Sequence, residues 1–316
     1  MLYQNKRLKI AGTGSYVPER IVKNEELEEK VNTSSKWIYD TLGINERRII
    51  IDGEHTSDLA AKAGLNAIQN AGIESNDVDL IILATSTPDR KAPSTACITQ
   101  HKIGIKNHCP SFDIAAVCSG FLYGLTIGSQ FIQTGMYKNV LVIGADTFST
   151  ITDWSRRDCV FFGDGAGAVV LQPCDKYNLF SSLIYSDGAG MDNFTIFPND
   201  PYYTMNGKAV YDVGTKVLPQ CIREVLRLNN LHTSDISMII PHQPSIGILK
   251  KTAEILDIPF ERIKTNMAKY ANTSGATIPL LLDELNRSNQ IEKHDLIVFA
   301  AVGSGWVWGA AVYIWQ

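Results

Sequence analysis

The second half of this chain repeats the order of the first, and that constrains the fold more than any single motif. Ser57–Ala71 carries Leu59, Ala60, Ala63, Ala67, Ile68 and Ala71 at helical spacing, then leads through a polar turn into an apolar run, Val78–Ala84. Val217–Leu228 also reads as a helix, followed by a polar turn and the strand Ile236–Ile240. The turns match: Ser75-Asn76-Asp77-Val78 answers Thr233-Ser234-Asp235-Ile236, with the two aspartates 158 residues apart in a chain of 316. Asn139–Gly144 answers Asp295–Ala300 at a spacing of 156, and Ala168–Leu171 answers Ala310–Ile314. Helices alternating with buried strands imply a layered α/β fold. The repeat divides it near Pro173, into residues 1–172 and 173–316. The bland alternative is chance likeness between α/β segments. A duplicated fold often places its chemistry between the halves, where matched strand ends meet. The segment Asp187–Lys208 is too long for a simple connection; it is expected either to cover such a site or to run over the surface.

Charge and hydropathy exclude several classes. The net charge of −4 does not mark a nucleic-acid binder. No run approaches the roughly 20 apolar residues of a membrane span. The N-terminus, MLYQNKRLKI, has no apolar signal core, so a cytoplasmic protein is expected. Six cysteines without C-x-x-C pairing argue against a disulfide framework and a zinc site. Two glycine motifs, Gly163-Asp164-Gly165-Ala166-Gly167 and Gly12-Thr13-Gly14, suggest a dinucleotide fingerprint. That fingerprint needs a strand before it and a helix after it, whereas the first runs into the strand-like Ala168–Leu171. Tight turns and close backbone packing account for both better.

Cys118 is the cysteine whose position stands out. It follows a strand candidate, Ser111–Val117, and precedes a helix pattern, Phe121–Thr134. The free N–H groups and dipole of a helix N-terminus favour a thiolate. Composition alone reads it more often as a packed thiol than as a nucleophile, and the junction brings the two readings level. Histidine is the usual partner of a reactive thiol, and His242 ends a repeat-matched strand in Pro241-His242-Gln243. The other five histidines lie in polar or helical contexts and are expected to be solvated. Asn272 falls 154 residues after Cys118, close to the repeat spacing, so both belong to near-equivalent junctions. Taken alone, Asn272 reads as a turn or cap residue. The turn Gly303-Ser304-Gly305 offers a backbone N–H as an oxyanion donor.

Together these residues resemble the ketoacyl-[acyl-carrier-protein] synthase III family of the thiolase superfamily. The likeness runs nearly the whole chain, through Trp37-Ile38, Gly43-Ile44, Ala115–Gly120, Phe162–Gly167, Pro241-His242-Gln243, Asn272-Thr273-Ser274 and Trp308-Gly309. It implies a five-layered αβαβα fold, a homodimer, and a two-stage condensation without a bound cofactor. Cys118 would take an acyl group from coenzyme A. His242 and Asn272 would hold the malonyl thioester on acyl carrier protein as carbon dioxide leaves. The N–H groups of Cys118 and Ser304 would hold the oxyanion of the acyl group. Trp37 and Arg156 occupy the positions that sandwich the adenine of coenzyme A.

The chain departs from the family pattern at its entrance. Thr41, Asp212 and Gly247 stand where basic residues are common, and Ser245 replaces an asparagine. Lost positive charge slows docking of an acidic carrier protein, unless Lys250, Lys251, Arg262 and Lys264 supply a shifted patch. Ala92 stands where a residue crosses the dimer and closes the partner's acyl pocket. Its small size implies a medium, longer or functionalised acyl group, unless Phe121 or Phe162 refills the space. The altered entrance motivates a second reading, an acyltransferase passing the acyl group to a hydroxyl or amine. A non-catalytic acyl-binding subunit is a third, disfavoured because Cys118, His242 and Asn272 all remain.

Overall fold

The two halves build two five-stranded sheets by the same rules. The structure, a computed structural model, describes residues 3–5, 7–197 and 199–316. The first half supplies strands β1 (Leu8–Tyr16), β2 (Leu80–Ala84), β3 (Ser111–Ile114), β4 (Val140–Asp146) and β5 (Gly165–Pro173). Its main helices are α1 (Ser35–Leu42), α2 (Thr56–Asn70), α3 (Thr95–Ile103) and α4 (Gly120–Gln133). The second half supplies β6 (Phe180–Gly190), α5 (Gly207–Leu228), β7 (Met238–Pro241), α6 (Ile246–Leu256), α7 (Thr277–Arg287), β8 (Leu296–Gly303) and β9 (Gly305–Ile314).

The first sheet runs β1-β5-β4-β2-β3; the second runs β6-β9-β8-β7, with a short strand at Tyr3–Asn5 beside β6 as its fifth member. In each, two antiparallel pairings are followed by a parallel one: β1/β5, β5/β4, β4/β2 against β6/β9, β9/β8, β8/β7. Even the place of β3 is kept, by a single parallel bridge from Ile239 to Ile263. The matched aspartates do the same work twice. Each ends a short 3₁₀ turn, and its carboxylate accepts the N–H three residues back, Asp77 from Glu74 at 2.9 Å and Asp235 from His232 at 2.8 Å. The expected repeat is therefore the architecture. One detail departs from a clean division at residue 173: a strand at Tyr3–Asn5 pairs with β6, in the second sheet.

Five layers follow. α2 and α3 cover the outer face of the first sheet, and α5 and α6 that of the second. α4 and α7 lie between the sheets, where Leu122, Leu125, Leu281 and Leu282 join strands of both halves in one core. Each such side chain contributes roughly 1.5–3 kcal/mol on burial. The glycine motifs serve this packing. A Cβ at Gly167 would stand 2.5 Å from Leu280 N in α7, and one at Gly14 would stand 2.2 Å from Ala67 N in α2.

Two boundaries differ from the sequence reading. α5 begins at Gly207, ten residues before the expected start, because its apolar face overrides Gly214 and the internal Pro219. β3 stops at Ile114, since the chain turns sharply to reach a positive φ of 44° at Val117. None of the helices among the described residues is long and apolar enough to cross a membrane.

Candidate active site

The turn that shortens β3 presents Cys118. Val117 is a β-branched residue in the left-handed region, a strained conformation held by its surroundings. A 3₁₀ turn, Val117–Ser119, then opens into α4. The second half makes the same elbow 157 residues later: Ser274 has φ +52°, followed by the turn Ser274–Ala276 and α7. The expected equivalence holds, three residues displaced. Cys118 corresponds to Gly275, and Asn272 lies just before the second elbow. The two elbows face each other, with Cys118 Sγ 3.6 Å from Ser274 Oγ.

A cavity of about 250 Å³ ends on this junction, and Cys118, His242, Asn272, Gly303 and Ser304 all line it. Asn272 is gripped on both sides. Its backbone N–H donates to Phe161 O and its carbonyl accepts from Gly163 N, each at 3.1 Å. Its side-chain Oδ1 accepts the Ser274 N–H at 2.8 Å, which leaves the Nδ2 amide as the free donor. His242 extends β7, donating its N–H to Ala300 O at 2.8 Å. The next residue, Gln243, accepts the N–H groups of Asn266 and Met267 through Oε1, and so fixes the loop before Asn272. The His242 ring is 2% exposed, and burial pushes it down to about 3, so it is neutral at working pH.

Burial also opposes the expected thiolate. It pushes the Cys118 thiol up to about 12, against a smaller downward pull from the Ser274 hydroxyl. At rest this side chain is held as a thiol. Gly303 packs against it: a Cβ there would lie 3.1 Å from Cys118 N, so the 303–304 turn sits on the Cys118 amide. Ser304 keeps its side chain out of the way by donating Oγ–H to Phe194 O at 2.6 Å.

The walls are aromatic. Phe162 stacks on Phe148 with ring centroids 4.4 Å apart, and Phe194 stacks on Tyr203 at 5.4 Å. Phe194, Met205 and Gly207 bring the Asp187–Lys208 segment into the cavity wall, so this segment does cover the site. Trp37 and Thr41 of α1, with Tyr211, line its solvent-exposed end, and the buried Ser245 lines it further in. One expectation needs correction, and one pair of residues is placed more finely. Phe121 does not line the cavity; it is fully buried in the core between the sheets. Arg156 is turned to Asp158 and to Tyr203 O, and it is the Arg157 guanidinium that lies over the Trp37 ring, at 3.9 Å. Ala92 is exposed and outside its own chain's cavity. The five other histidines are exposed.

Three residues that the sequence reading passed over emerge here. Ser274 touches Cys118 and fixes Asn272. Thr277 lies 2.9 Å from His242 Nδ1. Asp146, buried at the end of β4, accepts N–H groups from Ser86 at 2.7 Å and Gly275 at 3.0 Å. It thereby ties the second elbow to the loop that leads to Ala92. The position of Ser274 beside the asparagine was the one visible signal for this group.

Comparison with known proteins agrees with this geometry. Residues 112–188 match the family model for 3-oxoacyl-[acyl-carrier-protein (ACP)] synthase III, and residues 226–315 match its C-terminal model. The beta-ketoacyl-[acyl-carrier-protein] synthase III of Clostridium acetobutylicum is 43% identical over 98% of each chain. The chain belongs to the 3-oxoacyl-[acyl-carrier-protein] synthase III family. The Neisseria meningitidis family member is 42% identical over 96% of this chain and 98% of its own. The fold comparison is as close: the synthase III crystal structure from Aquifex aeolicus superposes with a TM-score of 0.94, at 39% identity, covering 98% of this chain and all of that one. The thiolase-like fold and the condensing enzyme class of the synthase III family are therefore those of this chain.

Proposed function

We propose that this synthase III loads an acyl group from coenzyme A onto Cys118, then condenses it with malonyl-[acyl-carrier-protein]. The observation that carries this reading is the pair of neutral donors, Asn272 and His242, fixed beside the nucleophile at the floor of one buried cavity. In the first stage the Cys118 S–C bond forms as its S–H proton leaves, and the coenzyme A thiol departs carrying a proton in its place. The N–H groups of Cys118 and Ser304 hold the carbonyl oxygen of the acyl group. In the second stage the C–C bond to carbon dioxide breaks. The electron pair gathers on the malonyl thioester as an enolate, held by Asn272 Nδ2 and His242 Nε2. Neutral donors stabilise that charge without protonating the carbanion. The carbanion then forms the new C–C bond at the acyl carbon, and the Cys118 sulfur leaves as a thiolate that takes up a proton from water to restore the thiol. The test is direct: acylated enzyme mixed with malonyl carrier protein is expected to release carbon dioxide and 3-oxoacyl carrier protein in equal amounts. Acyl transfer to a hydroxyl or amine with no carbon dioxide would favour the acyltransferase reading instead.

The mouth supports weak electrostatic steering by this face. Lys208 pairs with Asp212 and Lys36 with Asp40, so positive charge there is neutralised within its own helix. Of the shifted basic residues, Lys251 pairs with Glu254 and Arg262 donates to Thr233 O. A homodimer across β3 is supported by the place of that strand at the sheet edge, next to the exposed Ala115. In that assembly Ala92 faces the partner's acyl pocket. A primer panel read by intact mass is expected to load acyl groups longer than acetyl onto Cys118. Ala92→Phe is expected to cut loading of the longer ones by about tenfold or more. Loading of acetyl alone by the wild-type enzyme would contradict it.

A further inference from the structure

His242 closes the floor of the cavity with a ring whose inner nitrogen is shut away from water. Nδ1 lies 2.9 Å from Thr277 Oγ1, and Thr277 Oγ1 lies 2.9 Å from the carbonyl oxygen of Ser274. All three residues are at most 2% exposed. A threonine hydroxyl has one hydrogen to give. Given to Ser274 O, it leaves Oγ1 as an acceptor, so the ring proton sits on Nδ1 and Nε2 is bare. Given to Nδ1, it leaves the ring proton on Nε2. The two arrangements hold the same protons and the same charge. They differ in what the ring offers a thioester oxygen, a lone pair in the first and a hydrogen-bond donor in the second. Because burial keeps the ring neutral, its tautomer and not its charge decides the matter. Ser274 presents only a carbonyl to the ring, which on its own would hold the proton on Nδ1.

We propose that Thr277 is a positioning residue whose hydroxyl, donated to Nδ1, makes Nε2 the proton-bearing nitrogen of His242 during decarboxylation. The inference rests on the reading of His242 as an enolate donor. It separates the two stages: acyl loading uses Cys118 and backbone N–H groups, whereas decarboxylation needs the Nε2 proton.

Thr277→Val keeps the branched shape and removes the hydroxyl; Thr277→Ser keeps the hydroxyl. With malonyl carrier protein as the probe, Thr277→Val is expected to load acyl groups normally and to release carbon dioxide about a hundredfold more slowly. Thr277→Ser is expected to stay within about threefold of wild type in both stages. Nitrogen NMR on histidine-labelled, acylated wild-type enzyme is expected to find the His242 proton on Nε2, and in Thr277→Val on Nδ1. Carbon dioxide release by Thr277→Val at the wild-type rate overturns the proposal, as does Thr277→Ser failing equally, or Thr277→Val failing to load. So does a wild-type ring protonated on Nδ1, a measurement that depends on no variant folding. Undiminished decarboxylation by His242→Ala is a different result: it removes the reading of His242 itself.

Discussion

Cys118→Ala is expected to lose acyl loading altogether, with turnover down about 10⁴-fold or more. Intact mass after exposure to acyl-coenzyme A should show the adduct on wild type and none on the variant. The change removes one sulfur from a cavity wall, so folding should survive it with a cost near or below about 1.5 kcal/mol. Its donors for the second stage stay in place, so slow decarboxylation of malonyl carrier protein without condensation is expected to persist. Adducts of equal size and yield on the variant would remove the assignment of the nucleophile. The wild-type thiol carries a second signature. Burial holds it well above the ordinary range, at about 12, so the thiolate is the minor form at neutral pH. Alkylation by iodoacetamide should therefore be slow at pH 7 and rise about tenfold per pH unit up to pH 9. If the helix N-terminus won over burial, the rate would level off near neutrality.

The architecture was legible because it is written twice. Asp77 and Asp235 cap equivalent turns, and the apolar runs after them become β2 and β7. The position of Cys118 was legible because a strand-to-helix junction leaves a mark on hydropathy. What surrounds Cys118 was harder to read, since it depends on side chains meeting across the halves. Ser274 and Asp146 lie 128 residues apart in sequence, and Ser274 meets Cys118 only because the two elbows face each other. Helix phase misplaced Phe121, a plausible wall residue by proximity to Cys118, whose position on α4 turns it into the core. Two adjacent arginines hid a choice that local pairing made: Asp158 and Tyr203 O took Arg156, and Arg157 took the Trp37 face. The pull against a thiolate was hidden for a similar reason, because a linear sequence displays the helix start and not the enclosure that pushes the thiol up.

Asn272→Ala divides the reaction at its middle. The side chain contributes nothing to the S–C bond, so the variant should take up acyl groups at close to the wild-type rate. It should then stall, releasing carbon dioxide from malonyl carrier protein about 10²–10³-fold more slowly, the range found when one preorganised oxyanion donor is removed. Ser274 N–H occupies Oδ1 at 2.8 Å, so Nδ2 is aimed before substrate arrives and little reorganisation remains to be done. Asn272→Asp tests that orientation most severely. It keeps the size and the acceptor at Oδ1 but replaces the donor with a second oxygen, setting a carboxylate against the enolate. It is expected to be at least as slow as alanine. His242→Ala should stall at the same step, and the double variant should lose less than the product of the two, because both donors serve one oxygen. The pH dependence follows from the ring. With its protonation pushed down to about 3, His242 does not change charge between pH 5 and 8, and decarboxylation by the acyl-enzyme should be flat across that window as far as this residue is concerned. A step in rate near the ordinary histidine value, lost in His242→Ala, would mean that the ring works as an imidazolium and that the neutral-donor mechanism is wrong.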